Sequence, residues 1–258
     1  MENNDKVKAF YGEYKEDERE GRETLEFVRS KIIISRCLAK PGMEIADVGG
    51  ATGAYSFWLA GMGHRVHLLD LAANHIELAK QKGLEKGVAL ASYECADARE
   101  LPYDDNSMDI VLLMGALYHL HSSRARNKCL SEAYRVLKPG GLILCTVMSR
   151  YGLLIATQKY RLFDSYSRKY VEDSLNTGIH DKANFYAHTP DEIVLEMSSA
   201  QFKSIRLVAV EGIGNALTDN KIPEDEREAA RLLWSIELTE SAPELLGVSR
   251  NIIAVGEK

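Results

Sequence analysis

One twelve-residue segment limits the architecture more than any other: Glu44-Ile45-Ala46-Asp47-Val48-Gly49-Gly50-Ala51-Thr52-Gly53-Ala54-Tyr55. A short apolar run enters a cluster of glycines and leaves as a helix-forming stretch, so the segment reads as strand, tight turn and helix start. Open α/β sheets bind ligands at this place, beyond the carboxyl ends of their strands. Glycine removes the Cβ that would hold a ligand off the backbone. Two phosphate-binding patterns fail to fit. A dinucleotide turn needs glycine at its first, third and sixth positions, and Gly49, Ala51 and Ala54 stand there. A Walker loop ends in Gly-Lys-Ser/Thr, whereas Gly53 is followed by Ala54 and Tyr55. Asp47 adds a charge argument, because a carboxylate beside a helix N-terminus repels a pyrophosphate. The turn therefore favours a ligand that is cationic at this point.

Around the turn the chain repeats strand, turn and helix. Strands are predicted over 43–48, 65–69, 90–95, 110–114 and 142–147, and helices over 54–61, 73–82 (stopped by Gly83) and 123–137, with a Lys138-Pro139-Gly140-Gly141 turn before the last strand. Short apolar runs alternating with helices predict a parallel sheet covered on both faces. Residues 5–40 are charge-rich and carry Leu25, Val28, Ile32 and Ile33 on one helical face, which reads as one or two amphipathic helices. Residues 149–187 hold many aromatics and no strand signal, and read as a helical insertion. Thr189-Pro190-Asp191-Glu192 has the form of a capping-box helix start. A strand over 205–210, a helix over 223–240 and a strand over 251–255 complete the chain.

Composition narrows the class of function. With 258 residues, 45 % apolar and 27 % charged, the chain can build a large core. Its net charge of −6 argues against an extended phosphate-binding face and hence against nucleic acid as a partner. Cys37, Cys95, Cys129 and Cys145 form no CxxC pair, the pattern of reduced thiols in a cytosolic protein. The N-terminus shows no signal-like apolar region, and the longest apolar run, 110–118, falls far short of the ~20 residues that span a bilayer. A cytoplasmic protein with no membrane partner is expected.

Four further segments follow the first in order. They are Leu68-Leu69-Asp70-Leu71, with Asp70 placed 17 positions after Gly53; Cys95-Ala96-Asp97-Ala98, followed by Leu101-Pro102; Met108 through Met114-Gly115-Ala116-Leu117-Tyr118-His119; and Val136-Leu137-Lys138-Pro139-Gly140-Gly141. Together with Asp47 to Gly53, these segments resemble the class I S-adenosylmethionine-dependent methyltransferases, especially the small-molecule type, across roughly residues 43–148. That cofactor bears an ammonium and a sulfonium and no phosphate, as the turn favours. The resemblance implies a single α/β domain: a Rossmann-like, doubly wound, mostly parallel seven-stranded sheet with helices on both faces and a helical insertion after strand five. Within it, residues 1–42 would be an N-terminal helical lid segment, 43–148 the cofactor-binding core, 149–187 a substrate lid and 188–258 the remainder of the sheet.

The resemblance also assigns contacts. Asp47, Gly49, Gly50, Ala51 and Gly53 form the first motif, with Ala51 departing from its central glycine. Asp70 takes both ribose hydroxyls through its two oxygens, with Leu71 beside it; Asp97 and the Ala98 amide meet the adenine. Met114 and Gly115 lie under the methionine moiety, and Tyr11 and Tyr14 fold over the cofactor. His119 is the candidate general base, since histidine titrates near neutral pH. His64 and His67 lack the HExxH spacing, and no metal is expected. The expected reaction is in-line methyl transfer to an O, N, S or C nucleophile of a small-molecule acceptor, leaving S-adenosylhomocysteine. An RNA methyltransferase and a catalytically silent cofactor-binding protein are the alternatives. Monomer and homodimer both stay open.

Overall fold

A computed structural model describes residues 24–161, 168–180 and 184–258. Five parallel strands form its centre: β1 (Glu44–Val48), β2 (Arg65–Asp70), β3 (Ser92–Cys95), β4 (Met108–Leu113) and β5 (Leu137–Ser149), in the order β3-β2-β1-β4-β5. Beyond β5 the sheet turns antiparallel, with β9 (Asn251–Glu257) against β5 and β8 (Lys203–Ala209) against β9. The seven-stranded, mostly parallel path is as expected.

Among the described residues nine strands are present, however. The segment read as wholly helical, 149–187, does contain α5 (Arg150–Lys159) and α6 (Arg168–Thr177), but also two short strands, β6 (Ile179–His180) and β7 (Phe185–His188). Ala187 and His188 of β7 pair in parallel with Met148 and Ser149, the last residues of β5. Two paired residues are too few to leave an alternation in the sequence, because the side-chain period of a strand needs several residues to show.

Period-two alternation sorts the apolar side chains of β4 to opposite faces. Val111 and Leu113 pack with α4 (Ser123–Val136) and α7 (Pro190–Ser199) through Leu130, Ala133, Ile193 and Met197. Ile110 and Leu112 pack with α1 (Leu25–Ser35) and α2 (Ala54–Gly61) through Ile33, Ile34 and Leu59. Both faces are thus covered, as a parallel sheet requires.

Two glycine readings change. The helix predicted to stop at Gly83 runs on as α3 (Ala73–Lys86) and ends at Gly87, whose φ of 63° is the left-handed C-terminal conformation. Gly83 is glycine for packing: a Cβ there would stand 2.6 Å from the Tyr93 hydroxyl. Lys138 to Gly141 form a bulge within β5, not a turn before it, because Met108 pairs with Leu137 and Ile110 with Leu142, leaving one residue of β4 opposite four of β5. The Thr189 capping box forms as read, its hydroxyl accepting from Glu192 N at 3.3 Å and the Glu192 carboxylate from Thr189 N at 2.8 Å.

Candidate functional site

A cavity of about 830 Å³ lies over the carboxyl ends of the parallel strands, at the upper end of the volume range of ligand sites. Its floor is the glycine turn. Gly49 N and Gly50 N both donate to Leu69 O, at 2.7 and 3.2 Å, which ties the turn to the end of β2. Gly49 has φ 74° and Gly53 φ 92°, values that L side chains rarely adopt. Ala51, the departure from the family pattern, also sits at positive φ, 48°. Its amide donates to Asp70 Oδ2 at 2.9 Å, so the carboxylate holds in place a conformation that costs an alanine roughly 1–2 kcal/mol.

Asp70, at the end of β2, joins the turn to the cavity. Besides Ala51 N, it accepts from Ala72 N through Oδ1 at 2.9 Å, and the buried His75 stands 3.2 Å from the same oxygen. Each carboxylate oxygen offers about two acceptor positions, so acceptor capacity is left at the cavity edge. Asp97 lines the cavity beside Ala98, its Oδ1 taking both the amide and Nε of Arg99 at 2.9 Å. Gly49, Gly50, Ala51, Leu71, Met114 and Gly115 line it too. Asp47 and Gly53 do not. Gly53 packs instead against the Phe57 ring, 2.9 Å from the position of its absent Cβ, where it starts α2. Tyr11 and Tyr14 lie outside the described residues.

Asp47 lies fully buried beneath the turn, its Oδ2 accepting from Ser56 Oγ at 2.7 Å and its Oδ1 without a partner among the described residues. Burial pushes its carboxyl from 3.8 up to about 6; the Asp70 charge adds to the rise and the Ser56 hydrogen bond opposes it. The native state therefore holds this proton more tightly than the unfolded chain between pH ~4 and ~6, and stability falls as pH rises through that window. Above it the cost is about 3 kcal/mol at 1.36 kcal/mol per unit. Asp47→Asn is expected to stabilise the protein by up to about this amount at pH 8 and not at pH 4. Urea unfolding at the two pH values checks it, and an equal effect at both contradicts the buried charge.

His119 lies in the 3₁₀ turn Leu117–His119 after β4 and lines the cavity. Its Nδ1 is 3.0 Å from the Asn184 carbonyl oxygen, so Nδ1 carries the proton and the neutral ring has its lone pair on Nε2. Burial holds its pKa below the ordinary 6.5, which keeps the ring in the form that accepts a proton. His180 and His188 fall elsewhere. His180 stacks on Phe185 with centroids 4.8 Å apart, and the fully buried His188 pairs with Glu196 at 3.2 Å. Among the described residues no group of three His, Cys, Asp or Glu side chains is placed to hold a metal ion.

Several lining residues were not anticipated. Phe27, Lys31 and Trp58 form one wall, with Lys31 Nζ 4.9 Å from the Phe27 ring centroid and 5.8 Å from that of Trp58. Tyr118, Met148 and Arg250 line the cavity as well. Phe27 and Lys31 come from α1, which the sequence shows only as an amphipathic helix. Tyr118 stands inside the quoted 108–119 segment, where the signal lay unused.

Residues 46–145 match the family described as Methyltransferase domain. The ubiquinone/menaquinone biosynthesis C-methyltransferase UbiE of Brucella canis is 33 % identical over 125 residues, 47 % of this chain and 45 % of that protein. The chain thus covers less than half the length of the curated relatives it matches. Among solved structures, the [4+2]-cyclase SpnF superposes with a TM-score of 0.61 at 17 % identity, covering 90 % of this chain and 80 % of that one. A methyltransferase from Methanosarcina mazei gives 0.60 at 19 % identity, covering 88 % and 96 %. Phosphoethanolamine N-methyltransferase 2 of Haemonchus contortus, in complex with S-adenosyl-L-methionine, gives 0.57 at 19 % identity, covering 89 % and 52 %. At those identities the structural likeness speaks for the fold. The domain match spans the glycine turn, Asp70 and Asp97, so residues 46–145 of this chain are similar to a methyltransferase domain, on a fold shared with S-adenosylmethionine-dependent methyltransferases.

Proposed function

We propose that the protein transfers a methyl group from S-adenosylmethionine to an O, N, S or C nucleophile of a small-molecule acceptor. The observation that carries this reading is the pair of carboxylates set against the glycine turn: Asp47 beneath it and Asp70 at its edge, close enough for the Asp70 charge to raise the Asp47 pKa. A pyrophosphate on this turn would add negative charge to two carboxylates, whereas a sulfonium and an ammonium complement them. When bound, S-adenosylmethionine supplies a methyl group on a positively charged sulfur, open to in-line displacement.

The protein's own part is grip, alignment and exclusion of water. Asp70 has one acceptor position left for a ribose hydroxyl, Asp97 and the Ala98 amide serve an adenine edge, and Met114 and Gly115 lie under the methionine chain. Phe27 and Trp58 close one side with apolar surface. His119 Nε2 takes the proton of an acceptor that arrives protonated. The residues before 43, Tyr11 and Tyr14 included, serve as lid, and Phe27 and Lys31 among them line the cavity; no described residue of 149–187 lines it, which does not support the lid role expected of that segment. Four unpaired cysteines, three of them buried, suit a cytoplasmic setting. Among the described residues no helix is long and apolar enough to cross a membrane.

Calorimetric titration tests the cofactor reading directly. S-adenosylhomocysteine is expected to bind about a hundredfold more tightly than NAD or ATP, a difference of about 2.7 kcal/mol; tighter binding of either phosphorylated nucleotide would overturn it. Because a fold hosts many chemistries, and one neighbour is named a cyclase, transfer of label from [methyl-³H]S-adenosylmethionine to a metabolite pool separates catalysis from silent binding. Salt-dependent retention of RNA would favour the nucleic-acid alternative.

A further inference from the structure

The cavity's far rim carries a cation that the cofactor reading leaves unused. β9 runs antiparallel to β5 with Asn251 opposite Met148, so the residue just before β9 stands at the carboxyl end of β5. That residue is Arg250, and it lines the same cavity as Asp70. The sheet order β2-β1-β4-β5-β9 puts four strand steps between them, about 19 Å at ~4.8 Å per step. Arg250 therefore borders the cavity on the side away from Asp70, and Met148 and Tyr118 line the same cavity.

Arg250 is half-buried, and one nitrogen of its guanidinium lacks a partner among the described residues. Arg250 Nε is buried and has no hydrogen-bond partner among the described residues, and no carboxylate there pairs with the guanidinium. The neighbouring buried carboxylate, Glu211, is turned to other donors: Ser249 Oγ at 2.9 Å, Asn251 N at 2.8 Å and Asn251 Nδ2 at 2.6 Å. A buried donor left without an acceptor is uncommon and costly. The backbone that presents it is firmly held. Ser149 N donates to Arg250 O at 2.8 Å, Ser149 Oγ to Gly247 O at 3.1 Å and Asn215 Nδ2 to Val248 O at 2.8 Å. Gly152 packs so tightly on this loop that a Cβ there would meet Ser249 O at 1.9 Å and Arg250 Cα at 2.8 Å. A residue on a fixed backbone that lines the cavity and carries a planar fork of donors suits a planar pair of anionic oxygens.

We infer that Arg250 receives a carboxylate of the methyl acceptor, so that the acceptor class is a small organic acid whose apolar body lies against Met148 and Tyr118. The inference rests on the proposed methyl transfer for the word acceptor; the anion site itself stands on the geometry alone. A guanidinium with this role discriminates acids from their uncharged isosteres, because only the anion satisfies the fork.

The test uses the intact protein loaded with S-adenosylhomocysteine and two matched probe pairs, benzoate with benzamide and 4-hydroxybenzoate with 4-hydroxybenzamide, titrated by calorimetry. The acids are expected to bind at least about tenfold more tightly than the amides. Arg250→Gln removes this preference, and Arg250→Lys, which keeps the charge but not the fork, retains only part of it, while both bind S-adenosylhomocysteine as the native protein does. Should the glutamine variant fail to fold by circular dichroism, the lysine variant alone decides through its reduced preference. Equal binding of acids and amides, no binding of either, or a preference that survives Arg250→Gln overturns the inference. So does a tenfold loss of S-adenosylhomocysteine affinity in Arg250→Gln, which would assign the guanidinium to the cofactor's own carboxylate. If the native protein does not bind S-adenosylhomocysteine at all, the cofactor reading falls, and the same acid and amide titrations on the protein alone still judge the anion site.

Discussion

Gly49→Val abolishes S-adenosylhomocysteine binding, with no heat detected in a titration that saturates the native protein, while circular dichroism still shows the folded sheet. Two independent effects lead there. A β-branched residue is strained at φ 74°, at a cost of about 1–3 kcal/mol. Its Cβ would also stand 2.9 Å from Ala116 Cβ and 3.1 Å from Ala116 N, so backbone as well as a methyl must move. The displaced loop is the one that brings Met114 and Gly115 to the cavity, and the floor and one wall are lost together. Gly49 itself belongs to neither core cluster, which is why the variant folds. A Gly49→Val protein that binds as the native one does would refute the packed turn.

Asp70→Ala has the second large effect, because one carboxylate does two jobs. Removing it leaves the amides of Ala51 and Ala72 without their acceptor and releases Ala51 from its left-handed conformation. It also deletes the acceptor position offered to a ribose hydroxyl. With a hydrogen bond to a charged group worth roughly 1.5–3 kcal/mol, loss of the one that the remaining acceptor position of Asp70 can make toward the ligand weakens binding by about 1.5–3 kcal/mol. Asp70→Asn keeps one acceptor oxygen and is expected to fall between. Titration of the three proteins gives the order; indistinguishable affinities for the native and alanine proteins would remove Asp70 from the site.

The legible part of the site was the part written in short segments. Strand, glycine turn and helix succeed one another within twelve residues, and Asp70, Asp97, Met114 and Gly115 each follow a strand whose apolar run marks it. Asp47 shows the limit of such reading. It lies beneath the turn, and only the packing of Ser56 and Gly50 around it reveals that it does not line the cavity. Gly83 misled for a related reason: a glycine chosen for its contact with Tyr93 has the same letter as one chosen to end a helix. β7 escaped because two paired residues carry no period.

By itself the sequence determined that the chain would form an open α/β sheet with a glycine turn at the end of its first strand, since periodicity, glycine dihedrals and caps are decided by residues within a turn or two of one another. The tertiary structure alone decided what faces that site: the Phe27 and Trp58 wall, the Nε2 lone pair of His119 set by a carbonyl at Asn184, and Arg250 on the far rim. These depend on helix docking and on the antiparallel register of β9 with β5, pairings between residues far apart in the chain, and such contacts leave no mark in any local stretch of it.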